Sequence, residues 1–155
     1  MLEHLAQPEK ALAAVRSMLK PGGTITVIEG DHGSTYFHPD SVHARRAIDC
    51  LVELQAAAGG DAKIGRRLFP LVTAAGYREV RVSPRPVYCD ASRPQWVDGF
   101  TLKTFTAMVE GVRARALDAR LMTPSGWDRA VADLRRTAGP DGVFCYTFFK
   151  AIAVK

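Results

Sequence analysis

The chain has 155 residues, of which 24% are charged and 47% hydrophobic, and a formal net charge of +5 at pH 7. These values are typical of an ordinary globular protein with a sizeable core, and we expect a single domain over residues 1–155. No apolar run approaches the ~20 residues that a membrane helix needs, so no membrane association is expected. The three cysteines are widely spaced and contain no CxxC pair. This predicts neither a disulfide framework nor a zinc site and favours a cytoplasmic location.

The positive charge is spread along the chain. Arginines occur as three separated pairs, at residues 45–46, 66–67 and 135–136. Nucleic-acid binders usually concentrate charge on one face and add aromatic stacking residues. The pairs are more typical of solvated helix faces, so nucleic-acid binding is not expected.

The first predicted element is a helix that begins near Pro8 and ends at Lys20. A proline suits the first helical turn, apolar residues recur at helical spacing, and Pro21–Gly23 terminates the helix. A short strand follows at Thr24–Ile28, with the sequence TITVI. Because this segment is uncharged, apolar and β-branched, it predicts a strand covered on both faces, as in a parallel sheet.

Charged residues follow this strand abruptly, in the sequence EGDHG at residues 29–33, which we predict to be a loop. Ligands of open α/β sheets bind outside the carboxyl ends of the strands, so catalytic residues are expected here. His32 has the pKa range of a general base, and Glu29 or Asp31 could orient it. The alternative is that these side chains cap turns around the two glycines. No metal site is predicted, because the nearby histidines match no standard ligand spacing.

The rest of the chain alternates between helical and strand-like patterns. Pro84 and Pro86 argue against a central strand beyond Ser83. Three strands make a thin sheet for so many helices, so we expect missing strands before Met1. The predicted elements are helices at residues 42–58 and 64–75, a strand at 77–83, a mainly helical segment at 90–141 and a strand at 143–154.

Two sequence segments resemble class I S-adenosylmethionine-dependent methyltransferases of the small-molecule type. These are LEHL at residues 2–5 and a proline-started helix that ends in LKPGG before a hydrophobic strand. IGRRL at residues 64–68, followed by AAGY, is a weaker match. The resemblance implies an α/β fold that corresponds to the carboxyl-terminal part of a Rossmann-like methyltransferase sheet. It also implies a helical insertion over residues 90–141 and an antiparallel last strand between the fifth and sixth strands of the family.

The resemblance further implies S-adenosylmethionine as cofactor and a small molecule as substrate. Leu2, Glu3 and His4 match the family's segment beside the methionine end of the cofactor, although a frayed terminus is the alternative. The family binds its cofactor mainly through a glycine-rich loop, and no GxG occurs in this chain. We therefore expect an incomplete methyltransferase. The alternative is a non-catalytic fragment that acts through partner binding or as a homodimer through an exposed sheet edge.

Aromatic residues supply candidates for an apolar substrate pocket. Binding pockets are mostly apolar with a few polar groups, but aromatic side chains at helical spacing also occur in cores. Both interpretations stay open for the substrate-binding candidates Tyr36, Phe100, Phe105 and Tyr146.

Overall fold

The protein is a mixed α/β structure, described over residues 1–155 by a computed structural model. Seven α-helices, one π-helix and two 3₁₀-helices accompany three strands. No helix is both long enough and apolar enough to cross a membrane. In chain order the elements are a 3₁₀-helix at Leu2–His4, α1 (Pro8–Met18), β1 (Thr24–His38), α2 (Val42–Ala57), a 3₁₀-helix at Ile64–Arg67, α3 (Leu68–Ala74), β2 (Arg78–Asp90), α4 (Pro94–Trp96), a π-helix at Val97–Thr106, α5 (Ala107–Glu110), α6 (Arg113–Asp118), α7 (Pro124–Arg136) and β3 (Val143–Val154).

The three strands form one sheet in the order β1-β3-β2. The backbone N–H of Lys155 donates to the carbonyl oxygen of Gly23 at 2.9 Å, and Arg78 Nη2 donates to the carbonyl oxygen of Lys155 at 3.0 Å. The end of β3 therefore lies beside the beginnings of both β1 and β2. It follows that β3 is antiparallel to two strands that run parallel to each other. The last strand lies between the two earlier ones, which is the order that the family resemblance implied.

Strand β1 is much longer than the sequence predicted. It continues from Thr24 to His38, so the segment EGDHG at residues 29–33 lies within the strand. The prediction of a loop at these residues is wrong. Glu29, Asp31 and His32 are buried in the middle of the strand rather than placed at its carboxyl end.

The prediction that both faces of β1 are covered is also wrong. Thr24, Thr26 and Ile28 are exposed, whereas Val27 and Glu29 are buried. This alternation is that of a strand with one covered face, and β1 lies at an edge of the sheet. Uncharged β-branched residues in a short run do not distinguish such an edge strand from a central one.

Strand β2 continues past both prolines and ends at Asp90. It forms the other edge of the sheet, which agrees with the prediction that no central strand extends beyond Ser83. Residues two apart in a strand direct their backbone N–H groups the same way. Pro84 and Pro86 can therefore both have their missing donors on the side away from β3.

The helical predictions differ from the structure mainly at irregular turns. Helix α2 covers Val42–Ala57, close to the predicted residues 42–58. The predicted helix at 64–75 is divided into a 3₁₀-helix and α3. Pro70 is accommodated because it lies in the first turn of α3, where its missing N–H has no helical acceptor. The π-helix at Val97–Thr106 has no counterpart in the sequence prediction.

The chain divides into two compact units. The first comprises Met1–His32, Gln55–Pro86 and Thr147–Lys155. Its core joins side chains of α1, α3 and the strands, with Leu2 from the amino-terminal 3₁₀-helix. The buried members of that core are Leu2, Leu12, Val27, Ile64, Leu68, Leu71, Val72, Tyr77, Ala151 and Ala153.

The second unit comprises Gly33–Leu54 and Val87–Tyr146. It contains most of α2 and all the helices between β2 and β3. Five aromatic side chains form a cluster in this unit, joined by ring-centroid distances of 4.8–6.3 Å: Phe37, Phe100, Phe105, Phe144 and Tyr146.

Candidate functional site

The first unit brings together two segments that the sequence singled out separately. The 3₁₀-helix Leu2–His4 packs against the middle of β1, where the backbone N–H of Leu2 donates to Glu29 Oε1 at 2.8 Å. The amino-terminal ammonium group of Met1 donates to both carboxylate oxygens of Glu29, at 3.1 and 3.0 Å. These donors compensate the buried charge of Glu29. The amino-terminal segment and the middle of β1, which the sequence singled out separately, are therefore in direct contact.

Asp31 is held by Arg66. Arg66 Nε donates to Asp31 Oδ2 at 2.7 Å, and Arg66 Nη2 donates to Asp31 Oδ1 at 2.8 Å. The hydrogen bonds to Asp31 raise the pKa of the Arg66 guanidinium above its ordinary value. Arg67 donates in turn to Asp61 at 2.7 Å. Both arginine side chains are about half exposed, as expected for a solvated face, and each also binds a carboxylate.

His32 is a buried base in an acidic setting. Its backbone N–H donates to the carbonyl oxygen of Ala62 at 2.9 Å. Burial lowers the pKa of the imidazole below the ordinary value of 6.5, while the charges of Glu3 and Asp31 oppose that shift. His4 acts in the same direction as burial. The ring is therefore neutral at pH 7, which is the form that accepts a proton.

Glu3 supplies an acceptor that the protein does not use. Its backbone carbonyl accepts from Asp61 N–H at 2.7 Å and from Gln55 Nε2 at 3.0 Å, which fixes the segment. On the side chain, Oε1 lies 3.3 Å from His4 Nε2, whereas Oε2 is buried with no hydrogen-bond partner. A ligand that carries an N–H donor would satisfy this oxygen. No group of three or more His, Cys, Asp or Glu side chains is arranged to bind a metal ion.

A glycine allows the arginine-bearing segment to approach β1 closely. A Cβ atom at Gly65 would lie 2.7 Å from the carbonyl oxygen of Gly30 and 2.9 Å from that of Glu29. Both neighbours are backbone atoms of the strand, so no side chain fits here. Gly65 thereby places Arg66 beside Asp31, a role that the weak family match at IGRRL did not reveal.

An apolar groove of about 310 Å³ runs between α1 and the edge strand β1 in the first unit. Leu12 and Val27 lie in its base, and the exposed side chains of Val15 and Ile28 lie beside them. Leu2 and Glu29 also line it. Of the three candidates in β1, Glu29 is thus the one that lines this open, mostly apolar groove.

The four aromatic candidates belong to the second unit and differ in exposure. Phe105 and Tyr146 are buried, and their ring centroids lie 5.6 Å apart in the aromatic cluster. Phe100 is half-buried and lies 5.6 Å from Tyr146. Tyr36 is exposed, and the neighbouring Cys145 thiol raises the pKa of its phenol. Phe105 and Tyr146 are thus core residues of this unit.

Sequence reasoning missed a cavity at the true carboxyl end of β1. It has a volume of about 570 Å³ and is lined by Pro39–His43 together with Arg129, Asp133 and Arg136 of α7. Ser41 Oγ donates to Asp133 Oδ2 at 2.6 Å and accepts from the backbone N–H of Ala44 at 3.1 Å, as the N-cap of α2. The rule that ligands bind at strand ends was applied ten residues too early, because the end of β1 was misplaced.

No protein-family model matches the chain. An uncharacterized 37.1 kDa protein in transposon TN4556 of Streptomyces fradiae is 32% identical over 117 residues, covering 72% of this chain and 32% of that protein. The chain thus spans about a third of the length of this curated relative.

Among solved structures, Haemonchus contortus phosphoethanolamine N-methyltransferase 2, in complex with phosphomonomethylethanolamine and S-adenosylhomocysteine, covers 99% of this chain. The alignment includes 31% of that chain, with a TM-score of 0.45 and 14% identity. These values are too low to establish a shared fold or a shared function.

Proposed function

We propose that the chain is part of a class I S-adenosylmethionine-dependent methyltransferase that acts on a small molecule. The observation that carries this proposal is the strand order β1-β3-β2 with β3 antiparallel to its neighbours. The resemblance at LEHL and LKPGG implies this arrangement for the last three strands of that family. Sequence motif and topology thus support the same assignment, in which β1, β2 and β3 are the fifth, sixth and seventh strands.

The segment Leu2–His4 would contribute to cofactor binding. Glu3 Oε2 is a buried carboxylate oxygen without a partner, which fits the ammonium group at the methionine end of S-adenosylmethionine. Glu29 acts as a positioning residue, because it holds the backbone of Leu2 against β1. The cofactor supplies the methyl group when bound. The family's glycine-rich loop would have to come from other sequence, since this chain has no GxG.

His32 and Asp31 would serve the methyl acceptor. Methyl transfer is an in-line displacement, so positioning of the two reactants supplies much of the rate enhancement. An oxygen or nitrogen acceptor also loses a proton, and the neutral imidazole of His32 can accept it. The charge of Asp31 raises the pKa of that imidazole and so favours its protonated form. Arg66 keeps the Asp31 carboxylate in place.

Calorimetric titration with S-adenosylmethionine tests this proposal. We would compare the chain with a form extended by the sequence encoded upstream of Met1. The extended form is expected to bind, and Glu3→Gln is expected to weaken binding about tenfold, as for a lost charge-assisted hydrogen bond. Glu9→Gln on the exposed surface of α1 is the matched control. If an extended form with a glycine-rich loop binds no cofactor, the proposed activity is wrong.

The edge of β1 favours a second candidate function, self-association. Here an apolar groove adjoins an unpaired strand edge and Ile28 is 55% exposed. Such edges pair with other strands, and a second copy offers an identical edge whose first residues, 24–28, carry no charge. Sedimentation is expected to show a dimer that Ile28→Lys dissociates and Val42→Lys, at an exposed position of α2, does not. A strictly monomeric chain at high concentration would exclude this candidate.

A further inference from the structure

The cavity at the end of β1 has the size and the place of a small-molecule site. Its volume of about 570 Å³ lies in the range of ligand pockets. It begins at Pro39, directly after the last residue of β1, and ligands of α/β sheets bind at such strand ends. Its chemistry depends on which of its polar groups remain available.

Both carboxylates of the cavity are paired with donors of the protein. Asp133 Oδ2 accepts from Ser41 Oγ at 2.6 Å, and Asp133 Oδ1 accepts from Arg129 Nε at 3.1 Å. Asp40 Oδ1 accepts from the backbone N–H of Ser41 at 3.1 Å and lies 3.6 Å from Arg45 Nη2. Both oxygens of Asp133 thus have donors within the protein, whereas Asp40 is paired through Oδ1 alone.

The donors of the cavity are in surplus. Arg129 uses only Nε, toward Asp133, so both of its Nη groups remain available. Arg136 uses Nη2 toward Asp141 at 3.1 Å, which leaves Nε and Nη1. The imidazole of His43 also lines the cavity. A guanidinium group presents its N–H donors in a fork that matches two oxygens of a carboxylate or phosphate.

We propose that this cavity binds the phosphate or carboxylate group of a small acidic molecule through Arg129 and Arg136. A group with several acceptor oxygens and negative charge complements the donors that the protein leaves unused. A volume of about 570 Å³ suits a small molecule rather than a polymer. The further assignment of this molecule as the methyl acceptor rests on the proposed function, whereas the anion site itself does not.

Titration of the full chain, followed by NMR, tests the site. Inorganic phosphate and acetate are the two probes, added at constant ionic strength against chloride. Saturable shifts are expected at the Nε–Hε signals of Arg129 and Arg136 and at the amides of residues 40–43. Arg129→Gln and Arg136→Gln are each expected to weaken binding at least about fivefold, since each removes a charged donor fork.

Arg113→Gln is the matched control. Arg113 Nη2 donates to Asp128 at 3.1 Å, the same distance as in the Arg136–Asp141 pair, and it does not line this cavity. Saturation by phosphate alone identifies a phosphorylated ligand, and saturation by acetate identifies a carboxylate ligand. Shifts that do not saturate would overturn the site. An equal loss of binding in Arg113→Gln would also overturn it, because the anion would then respond only to the general positive charge of the surface.

The titration separates this proposal from the proposed methyl transfer. It needs no cofactor and reads the cavity directly. The chain could bind the anion while its extended form binds no S-adenosylmethionine. This result would support the anion site but exclude a methyl acceptor as its ligand. Binding of S-adenosylmethionine by the extended form without anion binding would support the proposed methyl transfer and overturn the anion site.

Discussion

Arg66 and Asp31 form a two-point ion pair across the first unit. Asp31 is buried in the middle of β1, and Arg66, half exposed on the second 3₁₀-helix, donates to both of its oxygens at 2.7 and 2.8 Å. A carboxylate buried without such a partner costs several kcal/mol. The pair therefore explains how β1 continues through a charged residue, and it connects the strand to the segment after α2.

Arg66→Gln should lower the free energy of unfolding by about 2–3 kcal/mol. Removing one partner of a buried pair leaves an uncompensated charge, and we reduce the usual loss because Arg66 is half exposed. The measurement is urea denaturation. Arg67→Gln is the control, since its partner Asp61 is more exposed and the expected loss is about 0–1 kcal/mol. Equal losses in the two variants would show that the buried pair with Asp31 contributes no more to stability than the exposed pair with Asp61.

Gly65→Ala should destabilise the same region without touching a charge. The new methyl group would lie 2.7 Å from the carbonyl oxygen of Gly30, so the 3₁₀-helix would have to move away from β1. Overpacking of this kind typically costs about 1–3 kcal/mol. Gly99→Ala is the matched control, because a Cβ there meets no atom within 4 Å. It should be neutral or stabilising by about 0.5–1 kcal/mol, and a comparable loss of Tm in both variants would contradict the prediction.

The local sequence pattern was sufficient to predict which residues are buried where burial follows helical periodicity. The apolar face of α2, with Ala47, Ile48, Leu51 and Leu54, is buried as its helical spacing predicts. The position of the last strand also agreed with expectation, through the family resemblance rather than through composition. These features depend on residues that are near in sequence or on a motif that spans the turn before β1.

Long-range pairing explains what the sequence did not show. The charges of Glu29 and Asp31 read locally as the end of a strand, yet they are compensated by donors 27 and 35 residues away. Because the end of β1 was predicted too early, the cavity at Pro39 was not predicted either. Ser41 meets Asp133 across 92 residues, and no spacing rule connects them.

Phe105→Ala should lower the free energy of unfolding by about 3–5 kcal/mol, because Phe105 is a buried core residue. Its ring is buried and lies 4.8 Å from Phe144 between centroids, so truncation leaves a cavity in the aromatic cluster. Phe69→Ala makes the same change at a side chain that is 56% exposed, and should cost less than about 1 kcal/mol. A small loss at Phe105 would instead agree with a side chain that lines an open pocket.

The stability of the protein should fall as the pH is lowered below about 6.5, partly through His32. Burial lowers the pKa of its folded-state imidazole below 6.5, so between the folded and unfolded pKa values the unfolded chain binds more protons. This contribution is complete above pH 6.5 and is lost as the pH falls, at up to about 1.4 kcal/mol per pH unit. Glu3, Asp31 and His4 face the ring and modulate the shift.

His32→Gln tests this slope independently of its effect on absolute stability. Urea denaturation between pH 7 and 5 should show a flatter dependence on pH in the variant than in the parent chain. His43→Gln replaces an exposed histidine of α2 and should keep the parent slope. Parallel pH curves for the parent and His32→Gln would mean that the imidazole takes up its proton equally in both states. The pKa of the folded imidazole would then not be lowered by burial, which would contradict the neutral base proposed for methyl transfer.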